Sequence, residues 1–138
     1  MGYNLTIGQV EAGTLECEEG EYAIRIEVTL VKFDSAPRDD SPTDGTNQRW
    51  PDYSAWAGFC RDTGLYSLFY DGEHGLIRRH PGVFALTADH LAQIKAAHSR
   101  LKLRSDGAYA LHGGRMQWLE YWVEWALANC SRPGIKNT

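Results

Sequence analysis

The chain has 138 residues, of which 43% are hydrophobic and 23% charged, proportions that exclude a disordered chain and suit one domain of common size, residues 1–138. Its longest nearly uncharged run, residues 116–131, contains two glutamates and is too short for a transmembrane helix. The net charge of −4 disfavours nonspecific nucleic-acid binding, because a polyanion binds basic surfaces, so neither a membrane nor a nucleic acid is the expected partner.

Two strands are predicted near the N-terminus. Residues 3–10 begin with apolar side chains that alternate with polar ones. Further on, Ile24, Ile26, Val28 and Leu30 occupy every second position, a period that places them on one face of a strand. One apolar face and one polar face are typical of an antiparallel sheet covered on one side. We expect the two strands to pair as a hairpin and the four apolar side chains to be buried together.

A long polar segment, residues 34–49, follows and contains two prolines and a glycine. Because few loops in compact domains are this long, it is either mobile or functional. A helix is predicted next, with Pro51 in its first turn and Gly64 at its end. Residues 65–70 are apolar and suit either a continuation of that helix or a strand.

Two more helices are predicted in the second half of the chain. Thr87 is a typical N-cap for the first of them, whose apolar stripe ends at Leu101. The other runs from about 115 to 130, after the Gly113–Gly114 pair, and is apolar around most of its circumference. Such a helix lies at the centre of a core or in an oligomer interface. Together the elements predict an α+β fold, a small antiparallel sheet from the N-terminal half packed against about three helices.

The cysteines and histidines do not form a metal-binding pattern. Cys17, Cys60 and Cys130 are widely spaced and odd in number, which indicates free thiols and a reducing, cytoplasmic location. The N-terminus lacks the features of a signal peptide. No pair of histidines has the spacing of zinc ligands, and a calcium loop starting at Asp40 would need ligands where prolines stand. No metal and no cofactor is predicted.

One segment, residues 71–82, concentrates groups that could bind an anion or transfer protons. It contains His74, Arg78, Arg79 and His80 among glycines. Guanidinium groups bind phosphate bidentately, and imidazoles titrate near neutral pH. Arg49 and Trp50, at the end of the polar segment, could add a charge and a stacking surface, which completes a candidate binding site of six residues. The alternative is a solvated loop with a tryptophan that closes the core.

Three blocks of sequence carry a resemblance to known proteins: residues 1–8 (MGYNLTIG), 46–56 (TNQRWPDYSAW) and 125–133 (WALANCSRP). Together they resemble small proteins encoded by phages and prophages, and the likeness spans most of the chain. That group has no assigned activity, so the resemblance implies a phage accessory or virion-associated protein without implying a reaction or a catalytic residue.

The functional expectation is a noncatalytic accessory protein that binds a host or viral protein and self-associates as a possible homo-oligomer. Its basis is the lack of a recognised catalytic motif beside 16 aromatic residues, more than one small core needs. The alternative is a small enzyme or sensor for a phosphorylated or otherwise anionic small molecule at Arg78, Arg79 and His80. A third hypothesis is nucleic-acid binding by basic side chains of residues 95–104. The sequence leaves open whether any catalysis occurs.

Overall fold

The computed structural model describes residues 1–18, 21–38 and 44–138. Within these ranges the chain forms five strands and four helices, which confirms the α+β class, with four helices where about three were predicted. In chain order they are β1 (Leu5–Glu18), β2 (Glu21–Val28), β3 (Gln48–Arg49), α1 (Tyr53–Thr63), α2 (Tyr66–Tyr70), β4 (Gly82–Ala85), α3 (Ala88–Lys102), α4 (Ala108–Asn129) and β5 (Pro133–Asn137).

The strands pair antiparallel in the order β2-β1-β5-β4, and the short β3 also pairs with β1. The predicted pairing of the first two strands is confirmed, with Val10 opposite Val28. The first half of β1 pairs with β5, placing Leu5 opposite Asn137. The sequence predicted a sheet formed by the N-terminal half alone. This prediction is wrong, because β4 and β5 from the second half of the chain complete the sheet. β4 and β5 are too short to show a period-two pattern, and their pairing with distant strands defines them.

The two faces of the sheet have different surroundings. Leu5, Ile7 and Ile135 are fully buried and belong to the main hydrophobic core with the helices. Because side chains alternate along a strand, Val10 and its partner Val28 lie on the other face, outside that core, and are 8% exposed each. The core thus lies between one face of the sheet and the helices, and the second face carries a smaller apolar cluster.

The prediction of one buried face on β2 is wrong in part. Val28 is buried, but Ile26 is 38% exposed and Leu30, just beyond the strand, is 62% exposed. The side chain of Ile24 lies outside the described residues. β2 is the outermost strand on its side of the sheet, and Val28 pairs with Val10 on the face away from the main core. This apolar row is therefore only partly covered by the described residues.

The polar segment of residues 34–49 is partly built into the fold. Its residues 39–43 lie outside the described part of the chain. Asn47 is completely buried, and Ala36 is 4% exposed. The indole N–H of Trp118, on α4, donates a hydrogen bond to the Thr46 carbonyl at 3.0 Å. The end of the segment that leads into β3 is therefore packed between the sheet and α4.

The predicted end of α1 agrees with the structure, whereas Pro51, predicted in the first turn, precedes the N-cap residue Asp52. Its buried stripe contains Trp56, Phe59 and Cys60. The helix ends at Gly64, whose φ of +80° is a left-handed conformation that a residue without a Cβ adopts without strain. Residues 66–70, which suited a helix or a strand, form the short helix α2.

The last helix is longer than the sequence predicted. It starts at Ala108 rather than near Arg115, so Gly113 lies inside the helix, where it is buried. Trp118 and Trp122 are 1% and 0% exposed within this chain. Burial in the core accounts for most of the apolar circumference of α4, so that circumference no longer argues for an oligomer interface.

The N-terminus of α3 is closed by a reciprocal cap between Thr87 and His90. The Thr87 hydroxyl accepts from the His90 backbone N–H at 3.3 Å, and His90 Nδ1 accepts from the Thr87 backbone N–H at 3.0 Å. This is a capping box with histidine in the place of the usual Glu or Gln. Since Nδ1 accepts a hydrogen bond, His90 stabilises the helix only in its neutral form.

We expect the His90 cap to make stability depend on pH. Burial lowers the pKa of His90 below its ordinary value, an effect that the neighbouring Asp89 partly opposes. Below about pH 6.5 the unfolded chain therefore binds a proton that the folded chain resists, and stability falls as the pH falls. In His90→Gln, which keeps a capping side chain that does not titrate, melting temperature should fall less between pH 7.5 and 5.5. An equal fall in the calorimetric melting temperature of the two proteins over this pH range would contradict this prediction.

Candidate functional site

Of the predicted site residues, His80 has the most defined surroundings. The side-chain amide of Asn137, fully buried on β5, donates to the carbonyl oxygens of Arg79 and Gly82 at 3.0 and 3.4 Å. Its Oδ1 atom therefore faces His80 Nδ1, 2.6 Å away, and this nitrogen must carry the hydrogen. In the neutral imidazole, Nε2 is then the acceptor.

His80 Nε2 lies 3.0 Å from the hydroxyl of Tyr53, the first residue of α1. The phenol therefore donates to an imidazole whose tautomer Asn137 holds, and the three side chains form a hydrogen-bonded relay. A hydroxyl, a base and a group that orients the base are the components of general-base activation. Sequence reasoning found His80 but missed Tyr53 and Asn137, which are 27 and 57 residues away from it.

The relay lies beside a concavity of about 310 Å³ whose lining includes Tyr3, Trp50, Asp52 and Thr138. Backbone hydrogen bonds between the N-terminus and the start of α1 hold Tyr3 in place, where its ring is 4.7 Å from the Tyr53 ring and 5.0 Å from the His80 ring. The predicted stacking residue Trp50 is 57% exposed. Tyr3 therefore contacts two residues of the relay and shares the lining of the concavity with Trp50.

Arg78 and Arg79 have a different environment from His80. Their guanidinium carbons lie 4.0 and 5.3 Å from the centre of the Phe84 ring, which is within the range of cation–π contacts. Arg78 also donates to the Gly75 carbonyl at 3.0 Å. Both arginines thus cover a buried aromatic ring of β4, and their binding of an anion remains a prediction.

His74 and Arg49 are separate from the His80 relay. His74 is exposed and lies 3.7 Å from the Glu73 carboxylate. Arg49, on β3, is 7% exposed, and its guanidinium lies 5.6 Å from the centre of the Trp118 ring on α4. The six residues proposed as one binding site are thus distributed over several environments.

A second concavity, of about 340 Å³, lies on the sheet face opposite the helices. Its lining is mainly apolar and crosses from β2 to β4, with Val10, Ile26, Val83, Ala85 and Leu86 as contributors and Arg132 as the charged residue. Val83 and Ala85 belong to β4, the last strand on its side of the sheet. The concavity therefore opens beside a free strand edge.

The hydrogen-bond pattern identifies which groups of β4 face outward. The Leu86 N–H bonds to the Pro133 carbonyl, and antiparallel ladders alternate between bonded and non-bonded pairs. Phe84 therefore bonds inward to Ile135, while the N–H and C=O groups of Val83 and Ala85 point away from β5. In the described part of the chain, no hydrogen-bond partner covers them. Sequence reasoning did not predict this strand, and the short apolar run of residues 83–86 after Gly82 was the one local hint of it.

Other kinds of site find little support in the described residues. Among them, no group of three or more His, Cys, Asp or Glu side chains could hold a metal ion, and no helix is long and apolar enough to cross a membrane. Cys60 is fully buried, and burial raises the pKa of its thiol strongly, so it is not a reactive thiolate at neutral pH.

Comparisons with protein-family models, with curated proteins and with solved structures found no match to this chain.

Proposed function

We propose that this protein binds another protein, without a catalytic step of its own, by accepting an extended segment of that partner as an additional strand along β4. The observation that carries the proposal is the outward-facing backbone of Val83 and Ala85 at the rim of an apolar concavity. Strand addition of this kind obtains affinity from main-chain hydrogen bonds and specificity from pockets for alternate side chains.

The chemistry of the concavity indicates what the partner segment contains. A strand paired with β4 presents every second side chain to the face that carries Val10 and Ile26. An apolar side chain there would cover surface that water now contacts. Arg132 borders the same concavity and is exposed, so an acidic residue near the apolar one would complement its charge.

The likeness of residues 1–8, 46–56 and 125–133 to phage and prophage proteins supports an accessory protein of phage type, with a host or viral protein as the partner. The free thiols of Cys60 and Cys130 support a reducing compartment such as the cytoplasm. Self-association as a homo-oligomer is a further proposal, and it would use a surface other than the β4 edge.

The second candidate function is the small enzyme or sensor for an anionic small molecule at His80. The relay from Asn137 through His80 to Tyr53 favours it, because the imidazole is held in the tautomer that can accept a proton from the phenol. Arg78 and Arg79 would supply the positive charge, at the expense of their contacts with Phe84.

The strand-addition proposal is tested with a displayed library of random twelve-residue peptides, selected on the folded protein. We expect the enriched peptides to share alternating apolar residues and an acidic residue. In Ala85→Pro, which removes an outward N–H without breaking the ladder to β5, their affinity should fall about tenfold or more, as for a lost hydrogen bond. In the free protein the amide hydrogens of Val83 and Ala85 should exchange rapidly, and they should become protected when peptide binds.

The matched control is Leu111→Ser, which changes an apolar side chain that is 72% exposed on α4. It should leave peptide affinity unchanged. Circular dichroism and melting curves establish whether Ala85→Pro is folded. If that variant does not fold, Ile26→Ser tests the contribution of the concavity to peptide binding. Failure to enrich any peptide, or equal binding by the Ala85→Pro and Leu111→Ser variants, would refute strand addition. Association of the protein with itself through β4 would also refute it.

A further inference from the structure

A third concavity lies between the end of α1 and the last turns of α3, apart from the strands that carry the proposed docking edge. Its volume is about 460 Å³, within the range of small-molecule sites. Three arginines line it, Arg61 from α1, Arg100 from α3 and Arg104 from the segment after α3. Its apolar floor includes Ala97 and Leu101, which are 0% and 1% exposed.

Positive charge in this arginine cleft exceeds negative charge. Asp62 is the acidic residue of the lining, and its carboxylate accepts a hydrogen bond from His112 Nε2, 2.9 Å away. Arg104 is paired with Asp106, which lies outside the lining, at 2.6 Å. In the described part of the chain, neither Arg61 nor Arg100 forms an ion pair. Two guanidinium charges in the arginine cleft therefore lack a carboxylate.

Neighbouring groups hold two of the three guanidinium groups in place, those of Arg61 and Arg104. Arg61 lies over the Tyr66 ring, 5.0 Å from its centre. Arg104 donates to the Asp62 carbonyl at 2.7 Å. The Arg100 guanidinium lies next to Gly64. The contacts of Arg61 and Arg104 lower the entropy that these two side chains lose when they bind a ligand.

The position of the arginine cleft at two helix C-termini offers a simpler explanation for some of its charge. Exposed carbonyl groups at a helix end attract cations and repel anions. Arg104 meets this need directly through the Asp62 carbonyl. Arg61 and Arg100 form no hydrogen bond to a carbonyl in the described residues, so capping of the helices does not use their donor groups.

We propose that the arginine cleft binds the phosphate group of a small phosphorylated molecule, with Arg61 and Arg100 as its principal ligands. Planar guanidinium groups match the oxygen geometry of phosphate and bind it bidentately. The apolar floor of Ala97 and Leu101 can accommodate the uncharged part of such a molecule. This site is distinct from Arg78 and Arg79, which cover Phe84, and goes beyond the proposed binding of a protein segment.

A nucleic acid fits the arginine cleft less well than a compact ligand does. An extended polyanion needs a row of free basic groups along its path. Of the basic residues on α3, Lys95 is paired with Glu124 at 3.2 Å. Arg104 is paired with the Asp106 carboxylate, and Asp62 adds a second carboxylate to the cleft lining. Both negative charges would repel a chain that continued past Arg104.

The proposal is tested by calorimetric titration of the protein with inorganic phosphate and with pyrophosphate in low-salt buffer. We expect both to bind, pyrophosphate more tightly, and Arg100→Gln to weaken binding by about tenfold or more, as for the loss of a charge-assisted hydrogen-bonded pair. Arg100→Lys should recover only part of the affinity, because an ammonium group cannot bind bidentately. Melting curves establish that each variant is folded, and Arg61→Gln serves as the second variant.

The matched control is Arg38→Gln, which removes the same charge from an exposed side chain outside the cleft lining and should leave both affinities unchanged. Absence of binding by both anions would overturn the proposal. So would equal losses in Arg100→Gln and Arg38→Gln, which would indicate a response to net charge, or a loss in Arg79→Gln but not in Arg100→Gln, which would place the anion at Arg78 and Arg79. A twenty-nucleotide single-stranded DNA that bound more tightly than pyrophosphate, with steep salt dependence, would replace the small ligand with nucleic acid.

Discussion

Replacing Asn47 with aspartate is expected to destabilise the protein by about 3 to 5 kcal/mol, enough to unfold a domain of ordinary stability. The Asn47 amide nitrogen donates to the carbonyl oxygens of Ile7 and Thr29 at 2.8 and 2.7 Å. Its oxygen accepts from the Val31 N–H at 2.9 Å. This fully buried side chain therefore joins β1 to the segment that follows β2.

The aspartate would place a carboxylate oxygen against two carbonyl oxygens, for which the described residues supply no other donor. Urea denaturation followed by tryptophan fluorescence measures the loss. The loss should be smaller near pH 4, where a protonated carboxyl group can donate to one of the two carbonyls. Asn129→Asp is the control, since Asn129 is exposed on α4 and its side chain donates to a carbonyl of its own helix. A loss below about 1 kcal/mol in Asn47→Asp, the net worth of one ordinary hydrogen bond, would contradict the assigned role.

Replacing Gly75 with alanine should have the second largest effect, a loss of about 1 to 3 kcal/mol from overpacking. An added Cβ would clash with the Phe69 carbonyl oxygen and would lie 2.6 Å from that of Asp71. Both are backbone atoms, so the loop cannot relieve the clash by turning a side chain. The Gly75 N–H also bonds to the Asp71 carbonyl at 2.9 Å, which prevents the residue from moving away.

Gly72→Ala is the matched control, because a Cβ at Gly72 would meet no atom within 4 Å. Each variant adds one methyl group to the same loop, so their melting temperatures can be compared directly. We expect Gly75→Ala to melt well below Gly72→Ala. Equal melting temperatures would show that the loop of residues 71–78 accommodates a Cβ at Gly75 without loss of stability, which would contradict the packing described for Gly75.

The loop that contains Gly75 illustrates how a local pattern can mislead. The glycines and charges of residues 71–82 indicate exposure, yet Gly75, Leu76 and Ile77 are buried. Asp71 accepts hydrogen bonds from the backbone N–H groups of Glu73 and His74, which lower the pKa of its carboxyl group. Leu76 and Ile77 then bond back to the carbonyls of residues 68 and 69, a return path that no local period reveals.

The candidate sites likewise combine residues that the sequence identified with residues that only the fold brings to them. His80 was predicted because imidazole chemistry belongs to the residue itself, whereas its partners Tyr53 and Asn137 come from α1 and β5. Arg61 and Arg100 lie 39 positions apart, so composition alone gives no reason to associate them, and only the packing of α1 against α3 makes one cleft of them.

What the sequence by itself determined is local. The end of α1 at Gly64, the cap of α3 at Thr87 and the pairing of the first two strands follow from residues close together in the chain, because propensity, capping and period act over one or two turns. Tertiary structure alone decided that β4 and β5 complete the sheet, that Asn47 is a core residue and that the last helix begins at Ala108. These depend on hydrogen bonds and buried contacts between distant segments, whose free energy exists only once the chain has folded.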